Sequence, residues 1–153
     1  MAAVALTAAT VSAFVPNVGA QMTKPGTLSA YAIVGDTVPT ALEGKVGDAD
    51  RGRRLVLDRA IGNCLICHAL AREPNERFQG NIGPDLDGVA ARQSAGQIRL
   101  RLIDQSRLNP NTVMPPYYRI DGLTRVAARF AGQPALEPQQ IEDIVSFLTT
   151  LKD

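Results

Sequence analysis

Both cysteines and the single histidine of this chain fall inside one pentapeptide, Cys64-Leu65-Ile66-Cys67-His68. Few sequence features constrain a fold as strongly. Residues one helical turn apart share a face, so a helical turn here aims Cys64, Cys67 and His68 in one direction. Two thiols so placed can add across the two vinyl groups of one porphyrin, while the tethered imidazole offers a nitrogen to the iron. The spelling C-x-x-C-H is the attachment site of a c-type haem, with His68 as one axial ligand.

Other readings of the pentapeptide fail by counting. A redox C-x-x-C calls for a βαβ setting, and nothing around Cys64 alternates like a parallel strand. A structural zinc site wants four Cys or His ligands, but the chain holds 2 Cys and 1 His in all. A Cys64–Cys67 disulfide would leave His68 unexplained. The cofactor expected is therefore one covalent haem c, bound through Cys64 and Cys67.

A chain of 153 residues suggests one domain. With 5% aromatic residues and no Trp, its own side chains make a modest core, which a porphyrin would complete. The formal net charge of +1 favours neither nucleic acid nor an anionic membrane surface as partner. Residues 1–20 read as a secretory signal: Val4 to Val15 is mostly small and apolar, and Val18-Gly19-Ala20 resembles a signal-peptidase site. No Lys or Arg precedes that stretch, so either the start lies upstream or the segment is a tail. It is too short and too rich in Ala and Thr to span a membrane. Export agrees with haem attachment, and the periplasm is the expected location.

Residues 21–46, rich in Gly, Pro, Thr and Ser, read as an extended arm with one apolar stretch at Tyr31-Ala32-Ile33-Val34, an arm or a short strand on the domain. The compact domain is expected over 47–153 and all-α. Asp48 is a plausible N-cap for a first helix whose inner face uses Leu55, Val56 and the stem of Arg51. Gly52 inside it costs about 1 kcal/mol in propensity, which suggests a second backbone crossing there. After His68 the chain looks loop-like through Gly88. Ser94-Ala95-Gly96-Gln97 spells a capping box for a helix to about Arg107, with Ile98, Leu102 and Ile103 inward. Asn109-Pro110 stops it. A short helix is expected from Leu123 to Phe130. The last helix opens at Glu137-Pro138, carries an apolar stripe of Ile141, Ile144, Val145, Leu148 and Leu151, and should cross the first at Gly52 near Phe147.

An electron-transfer haem needs a second axial ligand. No other His exists and both Cys are consumed. Met1 and Met22 lie in the leader and arm, which leaves Met114, far enough beyond His68 to return on the other side of a porphyrin. Pro115 biases Met114 to extended backbone, and Pro110, Pro115 and Pro116 each fix a φ angle. A loop ordered beforehand loses less entropy on binding iron through a weak thioether. The alternative is that Met114 fills the core while Lys, Tyr or water takes the position. Metal-bound histidines usually donate their second N–H to a carbonyl; the Pro84 carbonyl in Gly83-Pro84 is the candidate, an ordinary turn the alternative.

These segments resemble a known family. Gly47-Asp48-Ala49-Asp50-Arg51-Gly52, the C-x-x-C-H, Gly83-Pro84-Asp85-Leu86 and Gln140-Ile141-Glu142-Asp143-Ile144-Val145 are similar to class I cytochromes c. Narrower stretches, Glu76-Arg77-Phe78-Gln79-Gly80-Asn81, Arg99 to Asp104, Asn109 to Arg119 around Met114, and Asp121 to Val126, resemble subunit X of the sulfur-oxidation cytochrome complex. The similarity spans about residues 31–151. It implies a class I cytochrome c fold, helices around one covalent haem, in a heterodimer with an A-type cytochrome subunit (the SoxAX complex). That complex joins thiosulfate oxidatively to a cysteine of the SoxYZ carrier. The resemblance places the catalytic haem on the A subunit and gives subunit X the electrons to pass to a soluble cytochrome c. The other expectations are a free-standing periplasmic cytochrome c carrier, and a haem peroxidase or sensor with an open sixth position. A partner-facing haem edge would use Leu65, Ile66, Val113, Tyr117 and Tyr118, unless the tyrosines bond haem propionates instead.

Overall fold

The structure is a computed structural model that describes residues 27–153. The expected signal at 1–20 and the first residues of the arm lie outside the described residues. Four α-helices order the described chain: α1 (Ala49–Leu57), α2 (Val89–Arg92), α3 (Ala95–Asp104) and α4 (Pro138–Leu148). Short 3₁₀ turns at Leu42–Gly44, Cys64–Ile66, Gln105–Arg107 and Ala128–Phe130 punctuate the connections. No helix among the described residues is long and apolar enough to cross a membrane.

Each main helix starts where its local chemistry says. The Asp48 carboxylate accepts the Arg51 N–H at 2.7 Å and satisfies an orphan donor of α1. Ser94 and Gln97 close a reciprocal capping box on α3: the Gln97 N–H reaches Ser94 Oγ at 3.3 Å and the Ser94 N–H reaches Gln97 Oε1 at 2.8 Å. On α4 Pro138 occupies the favoured first turn, and the Glu137 N–H donates to Gln140 Oε1 at 2.8 Å.

α1 and α4 meet backbone to backbone. A Cβ on Gly52 would lie 1.9 Å from the Asp143 carbonyl oxygen and 2.8 Å from the Phe147 Cβ. Gly47 makes the same approach one turn earlier, where a Cβ would lie 2.0 Å from the Glu142 carbonyl oxygen. The crossing expected at Gly52 is therefore present. Asp143 fastens it, accepting the Asp48 N–H at 2.8 Å and two guanidinium N–H groups of Arg51 at 2.8 and 2.9 Å. Arg51 thus serves as an ion-pair partner with 47% of its side chain exposed, rather than as an inner face. The core behind it is aliphatic: Val56, Ile98, Ile103, Ile141, Ile144 and Leu151 are all essentially inaccessible.

The arm is part of this body. Val38 and Leu42 are buried in the core. The Val38 N–H donates to the Gly96 carbonyl at 3.0 Å, and the Leu42 N–H donates to Glu142 Oε1 at 3.0 Å. Arg99 grips Glu142 with two bonds of 2.7 Å and gives a third N–H to the Val38 carbonyl at 2.7 Å. Both ions are buried, at 6% and 3% exposure, so the arm, α3 and α4 share one closed polar network.

Three local expectations are corrected. No strand forms at residues 31–34; an isolated antiparallel bridge joins Val34 to Thr37, while Ile33 and Val34 stay exposed. The helix expected at Leu123–Phe130 is only a 3₁₀ turn, Ala128–Phe130. Gly122 and Arg125 hold positive φ angles there, and most of the segment faces solvent. Without a buried apolar face, so short a helix has nothing to stabilise it. The four-residue α2 was not foreseen, being too short to show a period.

Candidate haem site

The pentapeptide follows α1 through a turn built to aim it. Asp58 Oδ1 accepts the N–H groups of Ala60 and Ile61 at 2.7 and 3.0 Å, and the Asp58 carbonyl takes the Asn63 N–H at 2.7 Å. A Cβ on Gly62 would lie 2.1 Å from the Leu55 carbonyl oxygen, so only glycine fits under the end of α1. Asn63 takes the left-handed conformation (φ 50°), which Asn tolerates better than most residues. The chain then turns helically: the N–H groups of Cys67 and His68 both donate to the Cys64 carbonyl, at 3.2 and 3.0 Å. That single turn brings Cys64, Cys67 and His68 to one cavity wall.

The loop after the motif is laced across it. Gly80 N–H donates to the Leu65 carbonyl at 2.8 Å, Gly83 N–H to the Cys67 carbonyl at 2.8 Å, and Leu86 N–H to the Ala69 carbonyl at 2.9 Å. This lacing delivers Pro84 to the histidine, with His68 Nδ1 2.6 Å from the Pro84 carbonyl oxygen. A carbonyl can only accept, so Nδ1 carries the proton and Nε2 is left as a bare nitrogen donor.

Met114 is presented from the other direction. The Thr112 N–H closes a turn on the Asn109 carbonyl at 3.0 Å, and the Met114 N–H donates to Thr112 Oγ1 at 3.1 Å. Beyond it, Tyr117 and Tyr118 N–H groups bond the Leu102 and Ile103 carbonyls near the end of α3, at 3.1 and 3.2 Å. The loop is thus pinned on both sides of the thioether, which is half-buried against the core.

Cys64, Cys67, His68, Pro84 and Met114 all border one cavity of about 520 Å³. That volume falls within the range of cofactor sites, roughly 300–1,000 Å³. Its floor is aliphatic, from Val56, Ile98, Leu102 and Leu148, and the buried Gln105 Oε1 beside it has no hydrogen-bond partner. An apolar slot with two thiols, an imidazole nitrogen, a thioether and a spare polar group fits a covalent haem. Before attachment, burial pushes the free Cys64 thiol up to about 12, and Cys67 beside it adds to the shift. Burial likewise raises the Tyr117 phenol, whose hydroxyl donates to the Gly62 carbonyl at 2.9 Å.

Of the residues expected at a partner-facing edge, Ile66 and Val113 are exposed, at 58% and 77%. Leu65 and Tyr118 are not, at 3% and 2%. Leu65 points into the core because the motif turn is 3₁₀ and tight. The Tyr118 hydroxyl accepts the Ser29 N–H at 3.0 Å, and its ring packs 6.3 Å from that of Tyr31, so it ties arm to loop. The Gly83-Pro84 expectation rested on the Pro84 carbonyl alone; Gly83 also contributes, since a Cβ there would lie 2.4 Å from His68 Cε1, which makes it the backing of the imidazole.

Comparison with known proteins agrees with this geometry. A family model described as "Cytochrome c" matches residues 49–152. The solved structure of SoxXA from P. pantotrophus contains a chain 35% identical to this one, with a TM-score of 0.74, covering 80% of this chain and 95% of that one. No curated protein matches the sequence significantly.

Proposed function

The chain belongs to the cytochrome c family, as a SoxX-type class I cytochrome with one covalent haem c, and from that premise we propose its place in thiosulfate oxidation. It is the electron-accepting subunit of a heterodimer with an A-type cytochrome. The observation that carries this reading is the 35% identity to a chain of the SoxXA complex over 95% of that chain's length. The reaction served is R–SH + S₂O₃²⁻ → R–S–S–SO₃⁻ + H⁺ + 2e⁻, where R–SH is a cysteine of the SoxYZ carrier. An S–S bond forms, the thiol loses its proton, and two electrons leave. A haem supplies a one-electron couple, so this chain turns over against a soluble cytochrome c twice per conjugation, or in concert with another redox centre of the complex.

Within the site, Cys64 and Cys67 would hold the haem covalently, and His68 Nε2 and Met114 Sδ would be the protein donors to its iron. The Pro84 carbonyl keeps the proton on Nδ1 of His68 and fixes the ring's direction. The aliphatic floor excludes water, and the pinned Met114 loop lowers the entropy lost on coordination. The chain has 2 Cys, both committed to attachment, so it offers no further cysteine for the conjugation, in keeping with a catalytic haem on the A-type subunit. The cavity rim carries the apolar side chains of Ile66, Ile82 and Val113. The described part of the arm, residues 27–46, completes the domain at 47–153, and residues 1–20 direct export to the periplasm, with cleavage near Ala20–Gln21.

The test is co-expression of the holo-chain with its own organism's A-type subunit. Co-elution as a heterodimer, with haem reduction on adding thiosulfate and thiol-reduced SoxYZ, supports the reading. A holo-chain that elutes alone and stays oxidised in the mixture is a free-standing carrier.

A further inference from the structure

Phe78 is 85% exposed and has a φ angle of 64°. Glycine adopts that left-handed backbone freely, and Asn or Asp at modest cost; for a bulky aromatic it is an outlier. The chain has 4 Phe and no Trp, yet it spends one of its few large aromatics in water, on strained backbone.

The surrounding loop enforces this conformation. The Gln79 side chain alone makes three bonds: it accepts the Leu70 N–H at 2.6 Å and donates to the Glu73 and Glu76 carbonyls at 3.0 and 3.1 Å. Arg53 clamps Glu73 at 2.5 Å. Gly80 lies so close on the motif that a Cβ would fall 2.2 Å from the Ile66 carbonyl oxygen. The loop is therefore held on both sides of Phe78, and the ring is turned outward. Strain that the surroundings over-determine marks functional positions, and burial of this ring inside the domain does not explain it.

The position says what it serves. Through Gly80 the Phe78 loop is continuous with Ile66, which borders the cavity mouth together with Ile82. At the base of the loop Arg59 donates to the Arg77 carbonyl at 2.6 Å, which brings two exposed arginines to the loop that carries Phe78. An aromatic anchor with an apolar surround and a charged rim is the anatomy of a protein interface. We propose that Phe78 anchors this chain in an apolar, carboxylate-bordered pocket of its haem-bearing partner subunit, an inference that rests on the function proposed above.

Phe78→Gly separates a role at a partner surface from a role in the fold. Glycine relieves the left-handed strain, so a residue serving only a partner can be removed without loss of stability. In the holo-chain, Phe78→Gly and Phe78→Ala should weaken binding to the co-expressed A-type subunit about tenfold or more. The haem spectrum should be unchanged, and the thermal midpoint of Phe78→Gly equal to or above wild type. Val46, equally exposed at 85% but beside α4, is the control: Val46→Ser should bind as wild type does. Wild-type affinity in Phe78→Gly, or a clear fall in its thermal midpoint, overturns the anchor while leaving the heterodimer intact. A wild-type chain that binds no A-type subunit overturns the heterodimer and the anchor together.

Discussion

The His68 imidazole rests on the backbone of Gly83, where a Cβ would lie 2.4 Å from Cε1, 2.6 Å from Nδ1 and 2.8 Å from Nε2. No side chain fits between ring and backbone, so Gly83→Ala must push the ring aside and stretch its bond to the Pro84 carbonyl. That bond makes the imidazole a stronger donor; weakening it should raise the haem midpoint potential and lower haem loading. Overpacking of this kind costs about 1–3 kcal/mol. Redox titration of the loaded variant is the check, and an unchanged potential with full loading would show that the ring does not depend on Gly83.

Gly52→Ala should be more damaging. The new methyl would meet the Asp143 carbonyl oxygen at 1.9 Å, which no rotamer change relieves, so α1 and α4 must separate. We expect a loss of about 3 kcal/mol, measured by denaturant unfolding of the holoprotein. A loss below about 1 kcal/mol would mean the helices slide apart at little cost.

Local chemistry made much of this legible from sequence. Asp48, Ser94 with Gln97, and Glu137-Pro138 each satisfy their own helix start, so the boundaries could be read within a few residues. The haem pentapeptide concentrates its meaning in five adjacent positions, and elimination pointed to Met114, which borders the same cavity. What stayed hidden is long-range. Nothing in the sequence pairs the charged residues Arg99 and Glu142, and only the fold places them under Val38 and Leu42. Tyr118 looked like an interface residue until Ser29 and Tyr31 of the arm covered it.

Acid sensitivity follows from Asp143. Burial works against its ionisation, but the Arg51 guanidinium, the Asp48 N–H and Gln139 outweigh that and hold its carboxyl below the usual range. A depressed folded pKa contributes stability that is complete above the unfolded value, about 3.9, and is lost as pH falls through the folded one. Asp87, held down by Arg72 against its own burial, behaves alike. Arg51→Gln should therefore flatten the acid limb of the stability curve in part, leaving the share of Asp87. An acid limb identical to wild type would remove Asp143 from the account.

The Arg99–Glu142 pair should be far more costly to break than to replace. Glu142→Ala leaves a guanidinium buried at 6% exposure and frees the Leu42 N–H, a loss of about 3–5 kcal/mol. Replacing both partners by apolar residues, Arg99→Met with Glu142→Leu, should recover much of it. Equal losses in the single and double variants would show that the network acts through the arm's backbone bonds rather than the ion pair.

Met114 gives the sharpest test of the site. Its sulfur is the remaining soft donor at the cavity after Cys64 and Cys67 are tethered, and the bonds at Thr112, Tyr117 and Tyr118 hold its loop whether or not the sulfur is present. Met114→Ala should therefore fold and take up haem, yet lose the sulfur-to-iron charge-transfer band and bind exogenous imidazole or cyanide at the opened position. Thioether ligation favours the reduced iron, so Met114→His should instead give a low-spin protein of lower potential. A spectrum unchanged in Met114→Ala would mean that Lys, Tyr or water already occupies that position, and the argument by elimination would fall with it.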